Sequence, residues 1–378
     1  RYFKKKDLEK TPQKVDIRIK LDGSRVAEFV QNQCEPLVQE AVDATIHREN
    51  GTFVITPSQT GLTVDQNATI KTLNEALAQG LEEPVMIDAA VTVSEPKVTE
   101  EMLGTIQDVL GTCSTSFSSS GAARSKNLKV GSGKINGTVL LPGETLSGYG
   151  AMAPFTLENG YASAGAYENG RVVDSVGGGV CQIATTLYDA SLYAELEITQ
   201  RQNHSMSVSY VKPSMDAAIA GTYKDIKVTN PYDTPIYIEA GTSGKTLTFT
   251  IYGKETRPAN RTIQYVSETL SVTDPGETVV QDASLAPGAR VRVQAGHKGI
   301  RSRLWKCVFI DGVEQEKTLL YTDTYNASKA IYHVGPAAPA PAPAETTTPE
   351  TTQVEPTPDQ GPKGPGEIGP DSQNPAAG

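Results

Sequence analysis

In the run Val176-Gly177-Gly178-Gly179-Val180-Cys181-Gln182-Ile183-Ala184-Thr185-Thr186-Leu187-Tyr188, three glycines lead straight into a thiol. Glycine adopts backbone conformations closed to other residues and lets a ligand approach the main chain closely. A thiol that opens a helix meets unpaired N–H groups and a partial positive charge. Both would lower the pKa of Cys181 and provide hydrogen-bond donors for an oxyanion. That is the make-up of a cysteine nucleophile. The competing structural reading is a tight glycine turn followed by an inert Cys, since free Cys is among the most buried residue types.

His204 is the only histidine between Cys113 and Gly253. In Gln202-Asn203-His204-Ser205-Met206-Ser207-Val208-Ser209-Tyr210 the alternation predicts a strand with His204, Met206, Val208 and Tyr210 on one face and the serines on the other. The imidazole then faces the apolar side, where the Cys181 helix is expected to pack, and a Cys–His dyad follows. The competing reading is a core histidine satisfied by a backbone carbonyl. Asp174, Asp216 and a backbone carbonyl are the candidates for orienting the ring.

The elements that must position this pair are legible to different degrees. Ile183, Ala184, Leu187, Ala190, Ser191 and Ala194 form a small apolar stripe at helical spacing, which Tyr188, Leu192 and Tyr193 widen, so the helix is expected to be deeply buried. Upstream, the polar loop from Ser116 to Arg124 reads either as a flexible linker or as a wall of the cleft. A helix is expected over Arg124–Ile135, then turns at Asn136-Gly137, Pro142-Gly143-Glu144, Asn159-Gly160 and Asn169-Gly170. Strands are expected over Thr138–Leu141, Lys224–Val228, Thr234–Glu239 and Thr246–Tyr252.

The chain has 378 residues, enough for two or three cores, with 38% hydrophobic and 6% aromatic content. Its formal charge of −10 argues against nucleic acid as a partner, which needs a basic face. No run of apolar residues is long enough to span a membrane. The opening Arg1-Tyr2-Phe3-Lys4-Lys5-Lys6 lacks Met, which suggests a signal or membrane anchor upstream. Cys34, Cys113, Cys181 and Cys307 lie far apart without CxxC spacing, so neither a disulfide framework nor a metal site is expected. No cofactor is implied.

Four regions follow a flexible N-terminal segment over 1–14. Residues 15–111 read as an α+β domain: a short helix over Glu35–Val42, a hairpin turning at Asn50-Gly51, a helix beginning at Asp65 and stopping at Gly80, a strand over Pro84–Val93 and an amphipathic helix over Thr99–Leu110. Residues 112–253, mixed α+β, hold the Cys–His pair. Residues 257–335 form a small all-β module of short strands with a hairpin turn at Asp311-Gly312. Residues 336–378 contain 11 of the 24 prolines, no aromatic residue and six acidic residues against Lys363 alone, so they are expected to be a disordered spacer.

The stretch Ser116–Tyr252 resembles the VanW family, bacterial cell-envelope proteins named from a vancomycin-resistance cluster. The resemblance rests on Ser116-Phe117-Ser118 with Arg124 and Asn127, Ile135-Asn136-Gly137-Thr138, Leu141-Pro142-Gly143-Glu144, Glu158-Asn159-Gly160-Tyr161, the Gly177–Gln182 run, Thr185-Thr186-Leu187-Tyr188, Asn203-His204-Ser205 and Asp216-Ala217. The preceding domain looks like the peptidoglycan-binding domain found before VanW or L,D-transpeptidase domains. The 257–335 module, with Gly296-His297-Lys298-Gly299, is similar to the G-five domain of wall-associated proteins. Where the family has an aromatic Phe-Ser-Phe-Asn segment, this chain has Thr145-Leu146-Ser147-Gly148-Tyr149.

The resemblance implies an α+β multidomain protein at the outer face of a bacterium. It implies cysteine-dependent L,D-transpeptidase activity on the stem peptides of peptidoglycan, with Cys181 as nucleophile and His204 as its acid–base partner. Gly178, Gly179, Gln182, Ser118, Arg124, Asn136, Tyr188 and Ser205 would form the oxyanion and substrate cleft. The segment of classical L,D-transpeptidases in which His and Cys lie close together is absent. A papain-like wall peptidase and a non-catalytic scaffold bound to peptidoglycan are the competing functions.

Overall fold

The computed structural model describes residues 22–80, 83–168 and 171–337. The segment 1–14, the Asn169-Gly170 turn and the Pro-rich tail beyond residue 337 lie outside the described residues. The described residues fall into two compact units, one within 1–280 and 290–333 and one within 281–289 and 334–378. In the second, backbone bonds from Asp282 to Val334, from Gly288 to Pro336 and from Gly335 to Ala289 tie the described strands of chain together. All that follows concerns the first unit.

The core is built around the helix Val180–Tyr193, in which every residue from Gln182 to Leu192 is buried. One side packs on a four-stranded antiparallel sheet ordered Asp108–Ser116, Thr246–Gly253, Ile236–Ser243 and Thr138–Leu140. Along Thr246–Gly253, Leu247, Phe249 and Ile251 are buried and the threonines between them are less so, the alternation expected when one face of a sheet meets a core. Helix Ala122–Ile135 closes the same core with Leu128 and Ile135.

The opposite side of the Val180–Tyr193 helix is covered by three long strands ordered Arg261–Thr273, Gly299–Ile310 and Val313–Tyr325. Leu304 joins the core, the Tyr265 ring sits edge-on to Tyr193 at 5.3 Å, and the Tyr265 hydroxyl donates to Leu192 O at 2.6 Å. Just past the helix, Glu195 pairs with Arg261 and Lys306, each at 2.5 Å. Burial pushes that carboxyl up, and the two cations more than offset it, bringing it down to about 2. Asp311 and Gly312 take positive φ values of 50° and 78° at the hairpin turn. Short strands Glu277–Gln281, Arg290–Gln294 and Ala330–Val334 make a smaller sheet.

The N-terminal region holds two capped helices, Gly23–Cys34 with Asp22 as N-cap and Gln66–Leu77 with Asp65 as N-cap. A hairpin, Thr45–Glu49 with Thr52–Thr56, turns at Asn50-Gly51. It leans on the central sheet through Phe53, edge-on to Tyr237 and Tyr252 at 5.2 Å, and through Arg48, whose Nη1 lies 2.9 Å from Glu239.

Several elements differ from expectation. The first helix lies upstream of Glu35–Val42, where only the turn Glu35–Leu37 is helical, because the capping carboxylate is Asp22 and the chain is extended by Val38. Only Val91–Ser94 of the Pro84–Val93 region forms a strand, paired with Gly61–Val64. Over Thr99–Leu110 the helix stops at Leu103, and from Asp108 the backbone pairs with Thr246–Gly253 instead. The apolar spacing fits both, and the sheet ladder overrides it. Residues 202–210 form no strand.

Candidate active site

The three glycines have separate tasks. Gly177 and Gly179 have φ values of +86° and +113°, in the left-handed region that side chains resist. A Cβ on Gly178 would stand 2.4 Å from Ala164 O, so any side chain there forces the Ala164 backbone to move. Asn127, fully buried, fastens the turn: its Nδ2 donates to Ala162 O and Gly178 O, both at 2.9 Å, and its Oδ1 accepts from Ala162 N at 2.6 Å. This turn delivers Cys181 to the first turn of the helix, with Gly179 as N-cap.

Val180 N–H donates to Gly177 O at 3.2 Å and Gln182 N–H to Gly179 O at 2.9 Å. The Gln182 amide is thus engaged, correcting its expected place as an oxyanion donor. Its side chain turns inward, with Nε2 donating to Thr115 Oγ1 and Ser116 O. The Cys181 N–H between them has no preceding carbonyl within the helix to bond.

One face of the helix organises the rest. The segment after Asp216 runs beside it: Ala217 exchanges two hydrogen bonds with the Thr185 hydroxyl, at 3.0 and 3.1 Å, and Ile219 N–H donates to Cys181 Sγ at 3.4 Å. Asp216 is thereby set next to His204. Its Oδ2 lies 2.6 Å from His204 Nδ1 and accepts the His204 backbone N–H at 2.8 Å. With Nδ1 so engaged, Nε2 is the ring nitrogen left to hydrogen-bond the Cys181 thiol. Cys181, His204 and Asp216 stand in the order of a nucleophile–base–carboxylate triad.

The electrostatics follow from these contacts. Burial pushes the Cys181 thiol up, but the hydrogen bond and charge of His204, helped by Ile219 N–H, outweigh it and leave the thiol below its ordinary value. Burial alone would pull His204 down, yet Asp216 and the Cys181 thiolate hold its proton and bring it up to about 9. Burial opposes the charge on Asp216 as well, and His204 and Arg201 keep it ionised below its ordinary range. The arrangement favours a thiolate–imidazolium pair.

Behind Asp216 lies a network that sequence reasoning missed. Arg201, its side chain 1% exposed, donates from Nε to Asp216 O at 2.7 Å and from Nη2 to Asp216 Oδ1 at 3.2 Å. Its Nη1 lies 2.8 and 2.9 Å from the two oxygens of Asp323. The guanidinium stacks on Tyr321 and Tyr188, at 4.8 and 5.4 Å from the ring centroids. The Tyr325 hydroxyl also donates to Asp216 Oδ1. A signal was present: in Val313–Tyr325, Tyr321, Asp323 and Tyr325 alternate onto the inward face, putting a carboxylate between two tyrosines.

A cleft of about 390 Å³ opens over the triad, lined by Arg124, the Gly177–Gln182 turn, His204, Val208, Tyr210 and Ile219–Gly221. Tyr149 and Phe155 form its aromatic wall, edge-on at 5.8 Å, so Tyr149 supplies aromatic surface in the segment where the family motif differs. A second lobe of about 490 Å³, lined by Ser116, Phe117 and Ser119–Arg124, shares Arg124, Gly165, Gln182, Val208 and Tyr210 with the first.

Of the expected site residues, Cys181, His204, Gly178, Gly179, Gln182 and Arg124 line this cleft, and Asp216 stands directly behind His204. The others do not. Asp174 is exposed on the strand Arg171–Val176, paired with Gly165, while Asp216 takes the carboxylate position at His204. Asn136 ends the helix Ala122–Ile135 and accepts from Ala240 N at 2.8 Å, a structural role outside both lobes. Tyr188 is fully buried behind the triad against Arg201. Ser118 is exposed and lines neither lobe, and exposed Ser205 points its carbonyl to Asn326 N–H at 2.7 Å.

All four cysteines are free. Among the described residues no cluster of three or more His, Cys, Asp or Glu is placed to hold a metal ion, and no helix is long and apolar enough to cross a membrane.

Residues 123–252 match the family described as VanW like protein, residues 1–86 match one described as "Putative peptidoglycan binding domain", and residues 264–337 match the G5 domain. YoaR of Bacillus subtilis, an uncharacterized protein, is 31% identical over 237 residues, covering 62% of this chain and 76% of YoaR. The vancomycin B-type resistance protein VanW of Enterococcus faecalis is 25% identical over 173 residues, covering 43% of this chain and 62% of that protein. The solved structure of an IgA1 protease G5 domain aligns with 22% identity over 21% of this chain and 94% of its own, with a TM-score of 0.16. The chain belongs to the VanW family of cell-envelope proteins.

Proposed function

We propose that this protein is a cysteine-dependent L,D-transpeptidase that joins peptidoglycan stem peptides at the outer face of the bacterial cell. The observation that carries the reading is the Cys181–His204–Asp216 arrangement at the floor of a two-lobed cleft, in which the thiol is lowered and the imidazole raised. The matches to peptidoglycan-binding and G5 domains support a wall-associated setting.

In this reading a donor tetrapeptide stem lies in the lobe over Cys181. The thiolate attacks the carbonyl carbon of the third, diamino-acid residue, forming a C–S bond and a tetrahedral oxyanion. The Cys181 N–H, at the positive end of the helix, is the donor available to that oxyanion. As the intermediate collapses, the C–N bond to D-alanine breaks and His204 Nε2 gives its proton to the departing nitrogen. A side-chain amine from a second stem then attacks the thioester, its proton passes to His204, and the thiolate is restored with a new C–N bond. No cofactor is required. The second lobe favours transfer over hydrolysis, because it leaves room for the acceptor beside the acyl-enzyme.

The test is to incubate the protein and a Cys181→Ala variant with disaccharide-tetrapeptide muropeptides and analyse the products by tandem mass spectrometry. Dimers linked between diamino residues, with D-alanine released and all activity lost in the variant, are expected. Shortened monomers without dimers would make it a papain-like wall peptidase. No thiol-dependent product would leave a peptidoglycan-binding scaffold.

A further inference from the structure

His204 has no strand to hold it. The chain from Gln202 to Tyr210 has no regular structure, and much of its anchoring comes from the segment that matches the G5 domain. Asn203 Nδ2 donates to Thr324 O at 3.0 Å, and Ser205 O accepts from Asn326 N at 2.7 Å, so both neighbours of His204 are tied to the end of strand Val313–Tyr325. Farther along, Pro213 O accepts from Ser267 Oγ at 2.6 Å, and Ser214 Oγ lies 2.7 Å from Ser302 Oγ.

The same strand reaches the carboxylate. Ser214 N–H donates to the Tyr325 oxygen at 2.7 Å, which turns the Tyr325 proton toward Asp216 Oδ1. Asp323 fixes Arg201, which holds the other side of Asp216. The two carboxylate oxygens are thus divided: Oδ2 serves His204, and Oδ1 is anchored by Tyr325 and Arg201. The charged and titratable groups around Asp216 are His204, Arg201, Tyr325, Asp189, Tyr210 and Cys181, with Asp323 one step behind Arg201.

Building on the cysteine-enzyme reading above, we propose that Tyr325 is a positioning residue of the Cys181–His204–Asp216 site, with Asp323 supporting it through Arg201. The C-terminal β-strands are then an integral wall of the site, and the segment matching the VanW family alone does not complete it. The hydroxyl stops Asp216 from rotating away from His204, and rotation would withdraw the charge that keeps the imidazolium beside the thiolate.

The test uses the whole 378-residue chain and the pH profile of Cys181 alkylation by iodoacetamide, read by peptide mass mapping. Tyr325→Phe removes only the hydroxyl and is expected to lower the neutral-pH rate about tenfold and move the thiol midpoint upward. Asp323→Asn is expected to act in the same direction with a smaller effect. Tyr332→Phe, in the smaller sheet away from Asp216, is the control for a general effect on the β-strands and is expected to leave the profile unchanged. The decisive comparison adds Tyr325→Phe to Asp216→Asn, where a residue acting through Asp216 costs nothing further. A wild-type profile in a folded Tyr325→Phe protein, or full additivity with Asp216→Asn, would overturn the proposal. Wild-type Cys181 reacting no faster than an ordinary buried thiol would instead defeat the cysteine-enzyme reading itself.

Discussion

Two free thiols touch the same helix and meet opposite fates. Cys181, in the first turn, faces His204 and Ile219 N–H, and its pKa lies below that of an ordinary thiol. Cys113, on strand Asp108–Ser116, faces the buried Asp189 carboxyl with Sγ 3.9 Å from Oδ2, and burial and that carboxyl push it up to about 12. Neither is fully exposed, so access alone does not separate them. What separates them is the charge of the nearest partner and the end of the helix it occupies.

The largest way to break the comparison is to remove each thiol in turn. Cys181→Ala should abolish transfer, a loss of more than about 10⁴-fold in kcat, while Cys113→Ala should change it less than about twofold. Muropeptide turnover measures both, and comparable losses would place the chemistry elsewhere. Next comes the partner. His204→Gln keeps much of the shape but neither the charge nor the proton, and should slow transfer by about 10²–10⁴-fold. It should also bring Cys181 alkylation at neutral pH toward the rate of Cys113. Asp216→Asn should cost about 100-fold or more by releasing the imidazole, with KM little affected.

The pH dependence sharpens the same contrast. The reactive pair exists between the lowered pKa of Cys181 and the raised pKa of His204, so kcat/KM should rise through the first and fall near pH 9. The sign for stability follows: the contribution from His204 is complete below its ordinary 6.5 and is lost as pH rises through about 9. That from Asp216 is present above its ordinary 3.8 and is lost as pH falls through its lowered value. Denaturant midpoints across this range measure it. The smallest effect is expected at the turn. Gly178→Ala must push Ala164 O back from a 2.4 Å contact, at about 1–3 kcal/mol of stability, and shift Cys181 relative to His204.

The sequence made the nucleophile's helix plain and its surroundings less so. The Val180–Tyr193 helix was readable because its apolar stripe has one period and the glycine turn marks where it starts. His204 was readable as a partner, but not as part of a loop: alternation suggested a strand, while the backbone is held by Asp216 and by the end of strand Val313–Tyr325. Asp216 stood level with Asp174 because no periodicity links a carboxylate to a histidine 12 positions away. Tyr188 read as a cleft residue because its motif adjoins the thiol, yet two helical turns carry it behind the site. Asp323 and Tyr325 could be placed on one strand face by alternation, but their meeting with Arg201 and Asp216 depends on packing between segments more than 100 positions apart, which local spacing does not encode.

The most direct measurement is capture of the acyl-enzyme. The protein is mixed with a tetrapeptide stem in the absence of an acceptor amine, quenched in acid and digested, and the peptides are mapped by mass. The expected result is the donor's tripeptide acyl group on the peptide containing Cys181, with free D-alanine in the supernatant and Cys113 unmodified. D-alanine release without any adduct on Cys181 in rapid-quench samples, or intact stem throughout, would contradict a thioester at this thiol.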